Sequence, residues 1–233
     1  VRLWTDAEVV VFRWLYGFFL VCGLCSCLSS PSLDWPPPDA PGVRLGELPP
    51  PPLPCRKLAS GEPLLNEVLA RPGKIDLDGD GAVNGHDEAI ELIHDGDVDA
   101  TYDGVEVWVA GQLRGRIVDS GCVAPGQVLV LTGPQTAALD VPLGTSHIRL
   151  DHALKLPDGG GAISLRGGLA GGELAGLDVP PAQDSDASWA RALDGDRSAG
   201  WTWHPQVPEA MGQSASIGRC LDQQPACTCI ERS

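Results

Sequence analysis

Residues 64–93, LLNEVLARPGKIDLDGDGAVNGHDEAIELI, constrain the fold more than any other stretch of the chain. Two short apolar runs, Leu64 to Ala70 and Ala89 to Ile93, flank a loop in which acids recur at alternate positions. Asp76, Asp78, Asp80, Gly81, Asn84 and Asp87 stand at positions one, three, five, six, nine and twelve of a calcium-loop template. A hard divalent cation takes roughly six to eight oxygens, and a chain supplies them by curling around the ion with alternate residues inward. On that pattern Asp76, Asp78 and Asp80 offer carboxylates, Ala82 its backbone carbonyl, and Asn84 its side chain, directly or through water. Gly81 permits the sharp turn between them. The template expects a bidentate Glu at position twelve, whereas Asp87 stands there with Glu88 beside it, so the two are rival closing ligands. The competing reading is a solvated turn made of ordinary turn residues. Arg71-Pro72-Gly73 breaks any entering helix and AIELI is short and β-compatible. The loop is therefore predicted to be an isolated structural calcium site between strands, not a helix-flanked EF-hand.

The remaining apolar segments are also short and punctuated by turns. Gly104 to Val118, GVEVWVAGQLRGRIV, alternates Val105, Val107 and Val109 and turns near Ala110-Gly111-Gln112, which predicts a hairpin with Trp108 on the face opposite the valines. Val123-Ala124-Pro125-Gly126 leads into QVLVLT, Gln127 to Thr132, whose continuous apolar character predicts a central strand. Asp158-Gly159-Gly160-Gly161 turns into Ala162 to Arg166, with Leu174 to Val179 as hairpin partner, while Ile148 to Leu156 is ambiguous. With 29 glycines, 21 prolines and only 5% aromatic residues, the pattern predicts an all-β sandwich. The formal net charge of −15 argues against nucleic acid as a partner.

The N-terminal region reads as export apparatus. Arg13 precedes an apolar run, Trp14 to Cys25, that is too short for a spanning helix but fits a secretory signal. Leu24-Cys25-Ser26-Cys27 resembles a bacterial lipobox, with Cys27 as the lipidated residue; a plain signal peptide or short anchor is the alternative. Asp6 and Glu8 are out of place in a signal, so translation is expected to start at Val9, Val10 or Val11. Ser29 to Pro54 is proline-dense and predicts an extended spacer. The expected organisation is a signal peptide over 1–27, a Pro-rich linker over 28–60, a folded β-sandwich over 61–219 and a Cys-containing tail over 220–233. Beyond the signal, Cys55, Cys122, Cys220, Cys227 and Cys229 fit disulfides in an oxidising compartment better than zinc, with connectivity open.

No catalytic signature is present: there is no Gly-x-Ser-x-Gly elbow, His-Glu-x-x-His pair or phosphate loop with Lys. His86, His94, His147, His152 and His204 are scattered singly and read as surface or loop residues, and Asp151 beside His152 does not face it in a strand. Trp201 and Trp203 share one strand face, where they either fill the core or, exposed, stack on sugar rings.

In their order these segments resemble the lamin-tail domain of exported bacterial proteins. The family's Asn-Glu strand is matched by LLNEVLA, its calcium-type insert by the acidic loop, and the strand after it by Ala89-Ile90-Glu91-Leu92-Ile93. Val123 to Leu131, Ile163-Ser164-Leu165-Arg166, Ser188-Trp189-Ala190-Arg191, Asp194-Gly195, Trp201-Thr202-Trp203-His204 and Ser216-Ile217-Gly218 follow in the family's sequence of motifs. The chain departs from it at Gly111-Gln112-Leu113, where a Gly-Trp strand is usual, and at Ile217, which replaces a Pro. The resemblance covers about residues 61–219 and implies an immunoglobulin-like β-sandwich with a calcium-loop insertion. It implies a non-catalytic lipoprotein of the bacterial cell envelope, at the outer membrane or cell surface. Such a protein is held to the membrane by its lipid anchor and binds or scaffolds an envelope protein or polysaccharide. A carbohydrate-binding accessory module of a secreted hydrolase system is the alternative, and a small hydrolase with an unrecognised site is a further one.

Overall fold

The computed structural model describes residues 55–167, 171–182 and 186–224. The chain divides into two units, Val1–Pro51 and Pro52–Ser233, and every described residue belongs to the second. The expected signal, Cys27, the linker as far as residue 54, and Cys227 and Cys229 lie outside the described residues. Among the described residues no helix is long and apolar enough to cross a membrane.

The fold is all-β. Its strands are β1 (Arg56–Lys57), β2 (Pro63–Leu69), β3 (Ala89–His94), β4 (Ala100–Thr101), β5 (Glu106–Val109) and β6 (Gln112–Arg116). They continue with β7 (Val128–Thr132), β8 (Thr145–Arg149), β9 (Gly161–Gly167), β10 (Gly172–Val179), β11 (Trp189–Arg191) and β12 (Trp201–Trp203). A six-stranded sheet, β12-β11-β2-β3-β7-β8, packs against a four-stranded sheet, β10-β9-β5-β6, and β1 and β4 form a small parallel pair. The expected hairpins are present: β5 pairs β6 and β9 pairs β10, both antiparallel. The β5–β6 turn is Ala110-Gly111, both with positive φ (49° and 74°), the backbone that suits a two-residue hairpin.

Alternation along each strand decides which layer it feeds. In β3 and β7, Ile90, Leu92, Leu129 and Leu131 enter the core between the sheets. Ala89, Ile93, Val128 and Val130 point the other way, with Leu64 and Leu69, into a second apolar cluster. That outer face is covered by Ile75 and Leu77 of the acidic loop, by Leu139 and by Ile217. Burial on both faces is why β3 and β7 are buried at every position. Leu139 arrives there because β7 and β8 run parallel, which needs a crossover of about a dozen residues, and that crossover lies across the outer face. β8 is the strand the sequence left unassigned; it covers Thr145–Arg149 and only overlaps the ambiguous segment at Ile148 and Arg149.

In β2 the register shifts between Leu65 and Glu67. The extra residue lets Asn66 and Glu67 stand together between Leu65 and Val68, which both reach the inner core. The fold also extends beyond 61–219 at both ends. Cys55 is bonded to Cys122 with Cα atoms 5.6 Å apart. Leu58 is fully buried, and Cys220, itself disulfide-bonded, and Leu221 are buried. The linker thus ends, and the folded region begins, before Gly61, because Leu58 and the disulfide tie that segment to the sandwich.

Candidate functional site

The acidic loop, residues 75–88, is laid on the outer sheet face by its own alternation: Ile75 and Leu77 pack on the apolar cluster, and Asp76 and Asp78, half-buried, alternate with them. One carboxylate oxygen from each of Asp76, Asp78 and Asp80 comes together, all within 4.8 Å of one another. Like charges at such separations repel by about 1 kcal/mol per pair even in bulk water. The loop holds them there with its own amides. Gly81 N–H donates to Asp76 Oδ2 at 2.9 Å, Asp80 N–H to Asp78 Oδ1 at 3.1 Å, and Ala82 N–H to Asp80 Oδ1 at 2.7 Å. The remaining Asp76 oxygen, Oδ1, is buried and has no hydrogen-bond partner. A buried carboxylate oxygen without a donor calls for an ion or water, so the donor set fits a hard, oxygen-seeking cation such as calcium.

The other expected ligands are engaged elsewhere. Asp87, almost fully buried, accepts from Leu77 N–H and Asn84 N–H, both at 2.8 Å, and so laces the loop closed from beneath. Asn84 Oδ1 accepts from His86 N–H at 2.8 Å, and its Nδ2 donates to the Ala82 carbonyl at 2.9 Å. Glu88 is turned away from the three aspartates: its Oε2 accepts from Leu156 N–H at 3.0 Å, and burial pushes its pKa up to about 7. The two carboxylates accept from amides of different segments, Asp87 within the loop and Glu88 from Leu156. Asp87 and Glu88 therefore do not compete for one position, and neither joins the Asp76, Asp78 and Asp80 group. Two contacts clasp the loop to the β7–β8 crossover. Ala137 N–H donates to Asp78 Oδ2 at 2.6 Å and the Thr136 hydroxyl donates to the His86 carbonyl at 2.5 Å.

A second acidic cluster lies under the C-terminal segment. Glu67 and Glu91 are opposite one another across β2 and β3, both fully buried, and Asp194 joins them. Asn66 Nδ2 donates to Glu91 Oε1 at 2.7 Å and to Asp194 Oδ1 at 2.9 Å, while its Oδ1 accepts from Gly195 N–H at 3.2 Å. Ser188 and Ser216 hydroxyls donate to Glu67, each at 2.5 Å. Backbone amides of Ser216, Gly218 and Leu221 donate to Glu67, Glu91 and Asp194 at 2.9, 2.6 and 2.6 Å. Burial, reinforced by the Glu67 charge, raises the pKa of Glu91 well above the carboxylate range, and burial raises that of Asp194. His204, fully buried, contacts the Gln213 carbonyl through Nδ1 (2.8 Å) and Ser216 Oγ through Nε2 (3.0 Å). The carbonyl only accepts, so Nδ1 donates. Ser216 has one hydroxyl proton for two contacts, so the line needs one further proton, carried on the imidazole or the carboxyl.

His94 and His204, expected from the sequence to be surface or loop residues, lie in the interior. Both histidines are fully buried; His94 Nε2 contacts the Val98 carbonyl at 2.9 Å and its ring meets Tyr102 edge-on. Trp203 packs edge-to-face on Trp189 with centroids 5.2 Å apart, and both are buried in the core. Trp201 is half-buried with the Arg191 guanidinium over its ring at 5.3 Å, so the pair offers no open platform for a sugar ring. Asp151 and His152 are exposed loop residues. No protein-family model matches the chain, and no curated protein matches it.

Proposed function

We propose that the chain is a non-catalytic binding or scaffolding module of the bacterial cell envelope, a lamin-tail-like β-sandwich whose acidic loop holds a structural calcium ion. The observation that carries the ion is Asp76 Oδ1, a buried oxygen without a donor inside a group of three converging aspartates. Asp76, Asp78 and Asp80 would hold the cation, with the Ala82 carbonyl and Asn84, the latter directly or through water, as the further oxygens. Bound there, calcium offsets two of the three carboxylate charges and fixes the loop that covers Leu64, Ala89 and Val128 on the outer sheet face. The ion serves architecture and takes no part in a reaction.

The lamin-tail reading is supported by where its motif residues go. Asn66-Glu67, Glu91, Ser188, Asp194-Gly195, Ser216 and Gly218 all enter the one buried network. Lipidation at Cys27 and tethering to the membrane rest on the sequence of the N-terminal region. The test is thermal unfolding of the full chain in excess calcium and in excess chelator. A ligand at about one hundred times its Kd stabilises by roughly 2.7 kcal/mol, which in a domain of this size raises Tm by about 5–10 °C. Identical melting under both conditions contradicts the proposal.

A further inference from the structure

Only two buried side-chain polar atoms among the described residues lack a hydrogen-bond partner. One is the acceptor Asp76 Oδ1; the other is a donor, Arg114 Nε, on the opposite kind of charge. Arg114 lines a cleft of about 410 Å³ together with Pro134, Gln135, Asp151, His152 and Lys155. Five other basic residues, Arg56, Arg71, Lys74, Arg116 and Arg197, form ion pairs with carboxylates, while Arg114 and Lys155 form none among the described residues. Glu88, on which the Arg114 charge acts, is held by the Leu156 amide. Two cations that form no ion pair line one cleft in a chain of net charge −15, and cations in a concave site attract an anion.

The walls of the cleft are built to a fixed spacing. Gly115 approaches the next wall so closely that a Cβ there would lie 3.0 Å from Asp151 N and 3.1 Å from Leu150 Cβ. Gly133 does the same against Ala153, with a Cβ 3.2 Å from its Cα. His152 N–H donates to the Arg114 carbonyl at 3.0 Å and joins two of the walls. Lys155 has φ +49°, a left-handed turn that sends Leu154 and Leu156 into the core and leaves the lysine exposed at the cleft. The wall that carries Pro134 and Gln135 continues directly into Thr136 and Ala137, which clasp the acidic loop.

The charge balance selects the ligand. Arg114 and Lys155 against Asp151, with Glu88 also acting on Arg114, leave at most one net positive charge, which matches a monoanion better than a phosphate dianion. A guanidinium presents a planar fork that suits a carboxylate. Gln135 and Asp151 add an amide and an acceptor for hydroxyls, and Pro134 adds an apolar surface. We propose that this cleft binds a hydroxylated monocarboxylate of the sugar-acid class, with the carboxylate on Arg114 and Lys155 and the hydroxyls on Gln135 and Asp151. The proposal deepens the binding-module reading and rests on it only in treating the cleft as a binding surface; it requires no ion in the acidic loop.

Isothermal titration of the full chain with D-galacturonate, D-galactose and inorganic phosphate tests it, each with calcium and with chelator present. Galacturonate is expected to bind saturably, and galactose and phosphate at least tenfold more weakly. Arg114→Ala and Lys155→Gly should each weaken galacturonate at least tenfold. Glycine adopts the backbone of residue 155 without strain, so Lys155→Gly keeps the fold and should melt no lower than the parent. Arg166→Ala, on the outer face of the four-stranded sheet beside Trp108, should leave binding unchanged. Absence of saturable galacturonate binding, equal binding of galactose, tighter binding of phosphate, or affinity unaltered by both cleft substitutions would overturn the proposal. Binding that survives Arg114→Ala but vanishes with chelator would mean that the sugar acid is held by the loop ion and would equally overturn it. Failure of the calcium reading appears separately, as melting that ignores calcium.

Discussion

The same sheet carries two clusters of three acids that meet opposite fates. Asp76 and Asp78 are half-buried and Asp80 is exposed in a surface loop, held by short-range amides of the loop itself. Glu67, Glu91 and Asp194 sit under the C-terminal segment, held by hydroxyls, an asparagine and amides that come from up to 149 residues away. In water, three carboxylates can stay ionised and the residual repulsion is relieved by a cation. Away from water the cost of an ionised carboxylate is far higher, and it is met by convergent donors and by retention of a proton. The comparison teaches that burial, not residue type, decides whether three acids keep to the surface or are knotted together by donors and protons. The exposed cluster should respond to chelator and the buried one to pH and to truncation.

The largest effect is expected from truncating the buried cluster. Glu67→Ala strands the Ser188 and Ser216 hydroxyls and leaves a cavity, at a cost of about 3–5 kcal/mol, seen as a fall in Tm of about 6–20 °C. Glu67→Gln should be far milder, about 1 kcal/mol or less. Its oxygen still accepts from Ser188 and from Ser216 N–H, and its amide supplies the proton that the Ser216–His204 line lacks. Comparable losses for the two variants, by thermal or urea unfolding, would break this account of the network.

Calcium comes next, with the rise in Tm of about 5–10 °C given above; chelator should leave the Glu67 variants' relative order untouched. A third expectation concerns pH. Burial raises the folded-state pKa of Glu91 and Asp194 above that of the unfolded chain. The folded state therefore holds more protons in the window from the ordinary carboxylate range, about pH 4, up to the raised values. Stability from these groups is fully present below that window and declines as pH rises through it. Glu91→Gln removes its share, so the Tm of this variant relative to the parent should climb as pH increases from 4 to 8. A difference that stays flat, or shrinks, contradicts the assignment. The smallest effect is a change of sign. Asp80→Asn relieves two of the three like-charge pairs in the loop and should stabilise by about 1 kcal/mol or less in chelator, where salt screens them, yet destabilise in calcium, where it removes a ligand.

Local features were legible in the sequence and distant ones were not. The β5–β6 and β9–β10 hairpins follow from alternation and glycine turns, and the Asp76, Asp78 and Asp80 convergence follows from spacing alone. The rival roles of Asp87 and Glu88 could not be separated, because the answer lies in Leu156, whose amide holds Glu88 from 68 residues away. β8 escaped notice because Thr145–Arg149 is a mostly polar strand paired in parallel at a sheet end, with only Ile148 buried. The Asn66-Glu67 pair is visible in the strand, yet the bulge and the Asp194, Ser188 and Ser216 contacts arise from tertiary packing. The cleft at Arg114 had no sequence signature, since its walls come from segments joined only in the fold.

The contrast between the two clusters is tested most directly by equilibrium dialysis of the full chain against calcium. The account predicts one bound ion per chain, lost in Asp76→Ala/Asp78→Ala and retained in Glu67→Gln. No bound ion in the parent chain, or an ion that persists in the double loop variant, would contradict it.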